Sequence, residues 1–341
     1  SFINGTDWKN EVTAIDRMAK LTKEDIVAFA NKYLKEDNYA VIYKKQGKDP
    51  NEKKMTKPEI TPIITNRDVT SPFLVEVQES AVKPIEPVFL DYQKDMSQLK
   101  AKSDIPVLYK QNVANDLFQL IYVFDMGNNH DKALGTAFDY LEYLGTSDMT
   151  PEELKSEFYR LACTFYVSPG NERTYVVLSG LNENMPAAVQ LFEKLLADAQ
   201  VNKEAYTNMT SDILKARSDA KLNQGQNFSR LMSFAMYGPK SPATNLLTEA
   251  ELTNMNPQEL VDRIHNQNSY KHRILYYGPS SSKDLLATIN QYHQVPAALK
   301  DIPAGNEYSY LETPVTKVLV APYDAKQIYM AQISNLDKKY D

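Results

Sequence analysis

Internal repetition is the feature that most constrains what this chain can fold into. The segment LTKEDIVAFANKYLKEDNYAVIYKKQG (21–47) reads as a helix, a turn and a strand. Thr22 stands at a cap position with Asp25 three residues on, and Ile26, Phe29, Ala30 and Tyr33 recur at helical spacing. Residues 39–43 have the branched and aromatic content of a strand. The same unit returns as NPQELVDRIHNQNSYKHRILYYG (256–278), where Asn256, Pro257 and Glu259 predict a cap, a first-turn proline and a capping box. One offset of 234 residues carries Ile26 onto Leu260 and Tyr43 onto Tyr277 without a gap.

A second match supports the repeat. PVLYKQNVANDLFQLIYVF (106–124) resembles KVLVAPYDAKQIYMAQI (317–333) at an offset of 211, with Val107, Leu108, Leu117 and Phe118 falling on Val318, Leu319, Ile328 and Tyr329. Each copy predicts two strands joined as a hairpin. Modules of somewhat over 200 residues follow, opening with strands and closing with helix–strand. The domain organisation expected is the end of one module at 1–47, a linker at 48–87, a complete module at 88–296, and a connector plus opening hairpin of a further module at 297–341. The linker carries prolines at 50, 58, 62, 72, 84 and 87, which argues against regular structure there. Its Ile63, Ile64, Phe73, Leu74 and Val75 predict a strap packed on neighbouring surface rather than a free tether. On this reading the chain is a piece of a longer protein, and residues 326–334 form an unpaired strand edge suited to self-association.

Within the central module the patterns predict strands at 97–102, 106–110, 117–126, 161–168, 172–180 and 271–277. Helices are expected at 131–145, 151–161, 185–199, 202–223, 227–237, 257–268 and 281–293. The fold class expected is α+β, an antiparallel or mixed sheet with helices packed on one face.

The net charge of −6 argues against nucleic-acid binding, which needs a basic face, and no apolar run approaches the roughly 20 residues of a membrane span. The single cysteine, Cys163, excludes an internal disulfide and a thiolate zinc cluster, and its place in LACTFYV predicts a buried thiol. There is no glycine-rich nucleotide loop and no nucleophile elbow.

The segment TAFDYLEYLGT (136–146) bears on function most directly. Leu134, Phe138, Leu141 and Leu144 form one apolar stripe of a helix, and Thr136, Asp139, Tyr140 and Tyr143 fall on another. A strand precedes it (LFQLIYVFDMG). A capped helix (TPEELKSEF), two strands (LACTFYVS and ERTYVVLSGL) and a helix (MPAAVQLFEKLLADA) follow. This order of elements resembles the repeated module of the insulinase/pitrilysin family of zinc metallopeptidases, and the closing unit LTKEDIVAFANKYL…YAVIY resembles that family's module ending. The resemblance covers nearly the whole chain in element order and short phrases, but not in catalytic residues. It implies a clamshell-half type of architecture, in which zinc is held by His-x-x-Glu-His on a helix. Aligned from Gly145-Thr146, that motif falls on Thr136, Asp139 and Tyr140, so both histidines are replaced. The family's third ligand would fall within 204–222, where Asp212 and Asp219 are the nearest carboxylates and neither is assigned. His130, His265, His272 and His293 show no ligand spacing.

The resemblance therefore implies a catalytically silent, substrate-enclosing part of a zinc endopeptidase, with no catalytic or metal-binding residue of its own. Zinc would lie in an N-terminal catalytic half, which would be the partner, with peptides as substrate. Tyr140, Tyr143, Lys215 and Arg217 are the candidate chamber-lining residues. A non-enzymatic scaffold subunit of the same family is the alternative reading. Periplasmic and cytoplasmic locations fit equally.

Overall fold

A computed structural model describes residues 4–44, 47, 56–62, 69–325 and 327–335. The chain divides into two units, one ending at Ile85 and the other beginning at Glu86.

In the second unit six strands form one mixed sheet: β1 (Ser97–Lys100), β2 (Pro106–Gln111), β3 (Leu117–Phe124), β4 (Cys163–Pro169), β5 (Thr174–Leu181) and β6 (His272–Gly278). Their order is β1-β2-β6-β3-β5-β4. Only β2 and β6 run parallel. The expected β2–β3 hairpin does not form, because β6 lies between the two and pairs with both. The five-residue connection at 112–116 steps over β6. Asn112 holds it, since its amide N–H donates to the Gly278 carbonyl, its Oδ1 accepts from the Ala114 amide, and its Nδ2 donates to the Leu117 carbonyl.

Strand alternation decides which face is covered. The even-numbered residues of β3 (Phe118, Leu120, Tyr122 and Phe124) are buried, and their partners Leu178, Val176, Ile274 and Tyr276 point the same way. Against this face pack α5 (Leu134–Leu141), α6 (Pro151–Arg160), α7 (Met185–Asp198), α11 (Gln258–Asn266) and α12 (Ser282–Tyr292). Helix α7 shows why. Met185, Ala188, Val189, Phe192, Leu195 and Leu196 recur every three or four residues, and all are buried. Phe192 continues an aromatic chain through Phe165 to Phe158, with ring centroids 4.8 Å apart at each step.

Helix starts follow local chemistry. Thr150 and Glu153 close a capping box on α6, with Pro151 in the first turn. At α11, Asn256 Oδ1 accepts from the Gln258 amide, but the box expected with Glu259 does not close. The remaining helices of this unit are α8 (Lys203–Ala220), α9 (Gln224–Tyr237) and α10 (Glu249–Asn254). No helix was expected at α10, although Thr248 and Glu251 form a capping box there.

Residues 306–325 and 327–335 hold no helix or strand and meet α9. The Leu311 amide donates to the Met236 carbonyl, the Tyr310 ring stacks on Tyr237, Gln224 donates to the Gln327 carbonyl, and Tyr329 meets Phe228 edge-on. The hairpin expected from 317 onward is therefore not seen. Residues 317–325 and 327–335 hold no strand and present no strand edge, and Lys326 lies outside the described residues.

The first unit contains α1 (Trp8–Val12), α2 (Ala14–Met18), α3 (Lys23–Tyr33) and α4 (Pro72–Glu79). Helix α3 has the expected Thr22–Asp25 capping box. The strand expected at 39–43 does not form, and Tyr39, Val41, Ile42 and Tyr43 are exposed. A strand needs a partner. The equivalent residues 274–277 have β2 on one side and β3 on the other, whereas no described strand of the first unit lies beside 39–43. Within the segment expected to lack regular structure, Ser71 caps α4 and Pro72 occupies its first turn, so this proline starts a helix instead of preventing one. Phe73, Leu74 and Val75 on α4 are exposed rather than packed, and Ile63 and Ile64 lie outside the described residues.

Candidate functional site: a helix without metal ligands and an open sheet face

Helix α5 buries Leu134, Ala137, Phe138, Tyr140 and Leu141. The aromatic ring at 140 therefore belongs to the core. Its hydroxyl donates to the Asn202 carbonyl at 2.6 Å and accepts the Asn202 amide N–H at 2.9 Å, and its ring meets Tyr206 edge-on at 5.7 Å. A chamber-lining role is not compatible with this burial. Thr136 is half-buried and Asp139 is exposed. Although Asp139 reaches the surface, crowding by neighbouring atoms and then the Glu142 carboxylate raise its pKa. Gly145 and Thr146 owe their place to a turn. A Cβ on Gly145 would lie 2.3 Å from the Met149 carbonyl oxygen, and the Thr146 amide donates to that same oxygen at 2.9 Å.

Asp212 and Asp219 on α8 are exposed, and Asp219 is paired with Lys215 at 2.5 Å. Among the described residues no group of three or more His, Cys, Asp or Glu side chains is placed to hold a metal ion. Of the other candidate chamber residues, Tyr143 is about half exposed, Lys215 is exposed, and Arg217 donates to the Leu247 carbonyl. Cys163 is buried, and burial pushes its thiol pKa up, as expected of an inert thiol.

The helices of this unit cover one face of the sheet. The opposite face carries a row that crosses five strands in register: Leu108, Leu275 and Ile121, which are half-buried, Val177, which is buried, and Tyr166, which is exposed. On one side of the row Asp125 bridges Arg173 and Arg273, each at 2.7 Å, and the two guanidinium groups hold its carboxyl below the usual range. On the other side Tyr277, Gln119, Ser179 and Thr164 line a shallow recess of about 410 Å³. Tyr166, Tyr175 and Tyr277 supply aromatic surface that remains open to solvent.

Two histidines are brought together that sequence spacing did not connect. His272 begins β6 on the inward phase, and His293 follows α12. Their Nε2 atoms lie 2.9 Å apart, and His293 Nδ1 is 2.7 Å from Glu193 of α7. All three side chains are buried. The available signal was the alternation His272, Ile274, Tyr276, which places a histidine in the core phase of a strand.

No family model and no curated protein matches the sequence. Solved structures do match the fold. The periplasmic protease PqqL from Escherichia coli is similar at a TM-score of 0.56 and 15% identity, over 89% of this chain and 31% of that one. A peptidase M16 inactive domain from Pseudomonas fluorescens is similar at a TM-score of 0.53 and 16% identity, over 62% of this chain and 54% of that one. A variant of the ferredoxin protease FusC, in complex with Arabidopsis ferredoxin, is similar at a TM-score of 0.55 and 13% identity, over 86% of this chain and 30% of that one. The chain thus has the fold of M16 (insulinase/pitrilysin) peptidase domains. It spans about a third of the two proteases and about half of the inactive domain.

Proposed function

We propose that this chain is a non-catalytic, substrate-enclosing part of a zinc metalloendopeptidase of the M16 type. The observation that carries the reading is the state of α5. On the alignment the resemblance implies, α5 stands where a metal helix would, yet Tyr140 is committed to the core and to Asn202, and among the described residues no group of three or more His, Cys, Asp or Glu side chains is placed to hold a metal ion. Two imidazoles and a third donor are what hold a catalytic zinc and leave one position for water. Zinc and the water-activating carboxylate would come from another part of the parent protein, which is the partner this module requires.

The role left to the module is to present surface to a peptide. The open sheet face suits it, with an apolar row for side chains and tyrosines at its margins that can both stack and hydrogen-bond. A reduced, carboxymethylated polypeptide added to the chain should alter methyl and ring NMR signals of Ile121, Leu275, Tyr166 and Tyr277. Changes confined to the helical layer, or none at millimolar peptide, would rule this face out as the substrate wall.

A further inference from the structure

The Glu193–His293–His272 chain has a proton count that its geometry dictates. A carbonyl oxygen only accepts, so His272 Nδ1, 2.7 Å from the Tyr270 carbonyl, carries a proton and donates. The proton of the 2.9 Å contact between the Nε2 atoms then belongs to His293, with neutral His272 accepting. At the far end Glu193 Oε2 accepts from Asn268 Nδ2 at 2.9 Å and from the Gln294 amide at 3.0 Å. One further proton lies between Glu193 Oε1 and His293 Nδ1. With that single proton the chain is net neutral, and every close contact along it has one donor and one acceptor.

The array joins three pieces of the fold: α7 through Glu193, the start of β6 through His272, and the end of α12 with the connector behind it through His293 and Gln294. The titratable groups facing the histidine pair are Glu193 from α7 and Tyr122 from β3. Tyr122 approaches the Glu193 carboxylate without meeting hydrogen-bond geometry, and burial, then that carboxylate, raise its pKa well above the ordinary value. It therefore stays neutral and cannot absorb added charge. Phe124 and Asn268 complete the surroundings.

We propose that Glu193, His293 and His272 form an acid-released latch that holds the end of α12 and the connector from Gln294 to Lys300 against the sheet. On the histidine pair, the site for one more proton is His272 Nε2. There it would face the Nε2–H of His293, replacing a hydrogen bond by two opposed donors and leaving a net positive charge in a site closed to water. The connector is otherwise held by the Ser103 hydroxyl donating to the Pro296 carbonyl at 2.8 Å, by Val295 and Leu299 packed on the core, and by backbone bonds between Lys271 and Lys300 and between Lys300 and Ser269. Loss of the latch removes the buried anchor at His293 and Gln294 and leaves the connector on these weaker ties. Burial, followed by the His293 charge, lowers the His272 pKa to about 4, so the latch is closed at neutral pH.

Hydrogen exchange on the intact chain tests this, after correction for the intrinsic pH dependence of exchange. Between pH 7.5 and 4.5, protection of residues 285–300 should fall about 70-fold while β3 and β5 keep theirs. Unchanged protection at 285–300, or loss of β3 and β5 at the same pH, would overturn a local latch. Nitrogen-15 spectra at pH 7 give an independent readout that needs no variant. They should show His272 protonated at Nδ1 and bare at Nε2, and the reverse tautomer would refute the proton count. In His272→Leu the pH dependence at 285–300 should disappear; a folded His272→Leu that keeps it would refute the assignment. If this variant does not fold, the wild-type exchange and tautomer results decide.

Discussion

Tyr140→Phe isolates the claim that α5 has exchanged metal chemistry for packing. The Tyr140 hydroxyl makes two bonds to Asn202, the N-cap residue of α8. The Asn202 carbonyl keeps a partner when the hydroxyl goes, because it also accepts from the Tyr206 amide at 3.0 Å. The Asn202 N–H does not, so one donor is orphaned in a part-buried site at a cost of about 1–3 kcal/mol. For a unit of this size that corresponds to a fall in Tm of roughly 2–10 °C. Placing histidines at both positions by Thr136→His with Tyr140→His should cost more, about 3–5 kcal/mol, since the large buried ring is also lost from its contact with Tyr206. Urea unfolding at constant m gives both values. A Tyr140→Phe variant within about 0.5 kcal/mol of wild type would refute the argument. So would a double histidine variant that binds zinc stoichiometrically and is stabilised by it.

Three further outcomes follow from the geometry. Phe192→Ala removes a fully buried ring from the Phe158–Phe165–Phe192 chain and should cost about 3–5 kcal/mol in chemical denaturation. His272, buried with a pKa lowered to about 4, binds fewer protons folded than unfolded, so its contribution is whole above about pH 6.5 and is lost as pH falls towards 4; calorimetry should show a decline of at most about 3 kcal/mol across that window. Asp125→Asn breaks two half-exposed ion pairs on the open sheet face and should change stability by less than about 1 kcal/mol, with the difference shrinking in salt.

Much of the second unit was legible because its helices and strands are long and strongly periodic. The apolar spacing of 185–198 and the alternation of 117–124 each left one reading, and the Thr150–Pro151–Glu153 cap fixed a helix start to the residue. Sheet order was not legible. Residues 106–124 look like a hairpin locally, and nothing in them shows that the distant strand His272–Gly278 will lie between the two halves. The same limit explains residues 39–43, which have strand composition but no partner strand described beside them. At the candidate site the absence of histidine at 136 and 140 was readable in the sequence. The burial of Tyr140 was not, because its partner is the backbone of Asn202 on another helix. His272 and His293 stand 21 residues apart in no known motif and meet only because α12 folds back along β6.

The most direct test of the account is the zinc content of the purified chain after equilibration with micromolar zinc, with cleavage of a quenched peptide followed on the same sample. The account predicts far less than one zinc per chain and no chelator-sensitive cleavage. One tightly held zinc per chain together with chelator-sensitive cleavage would contradict it.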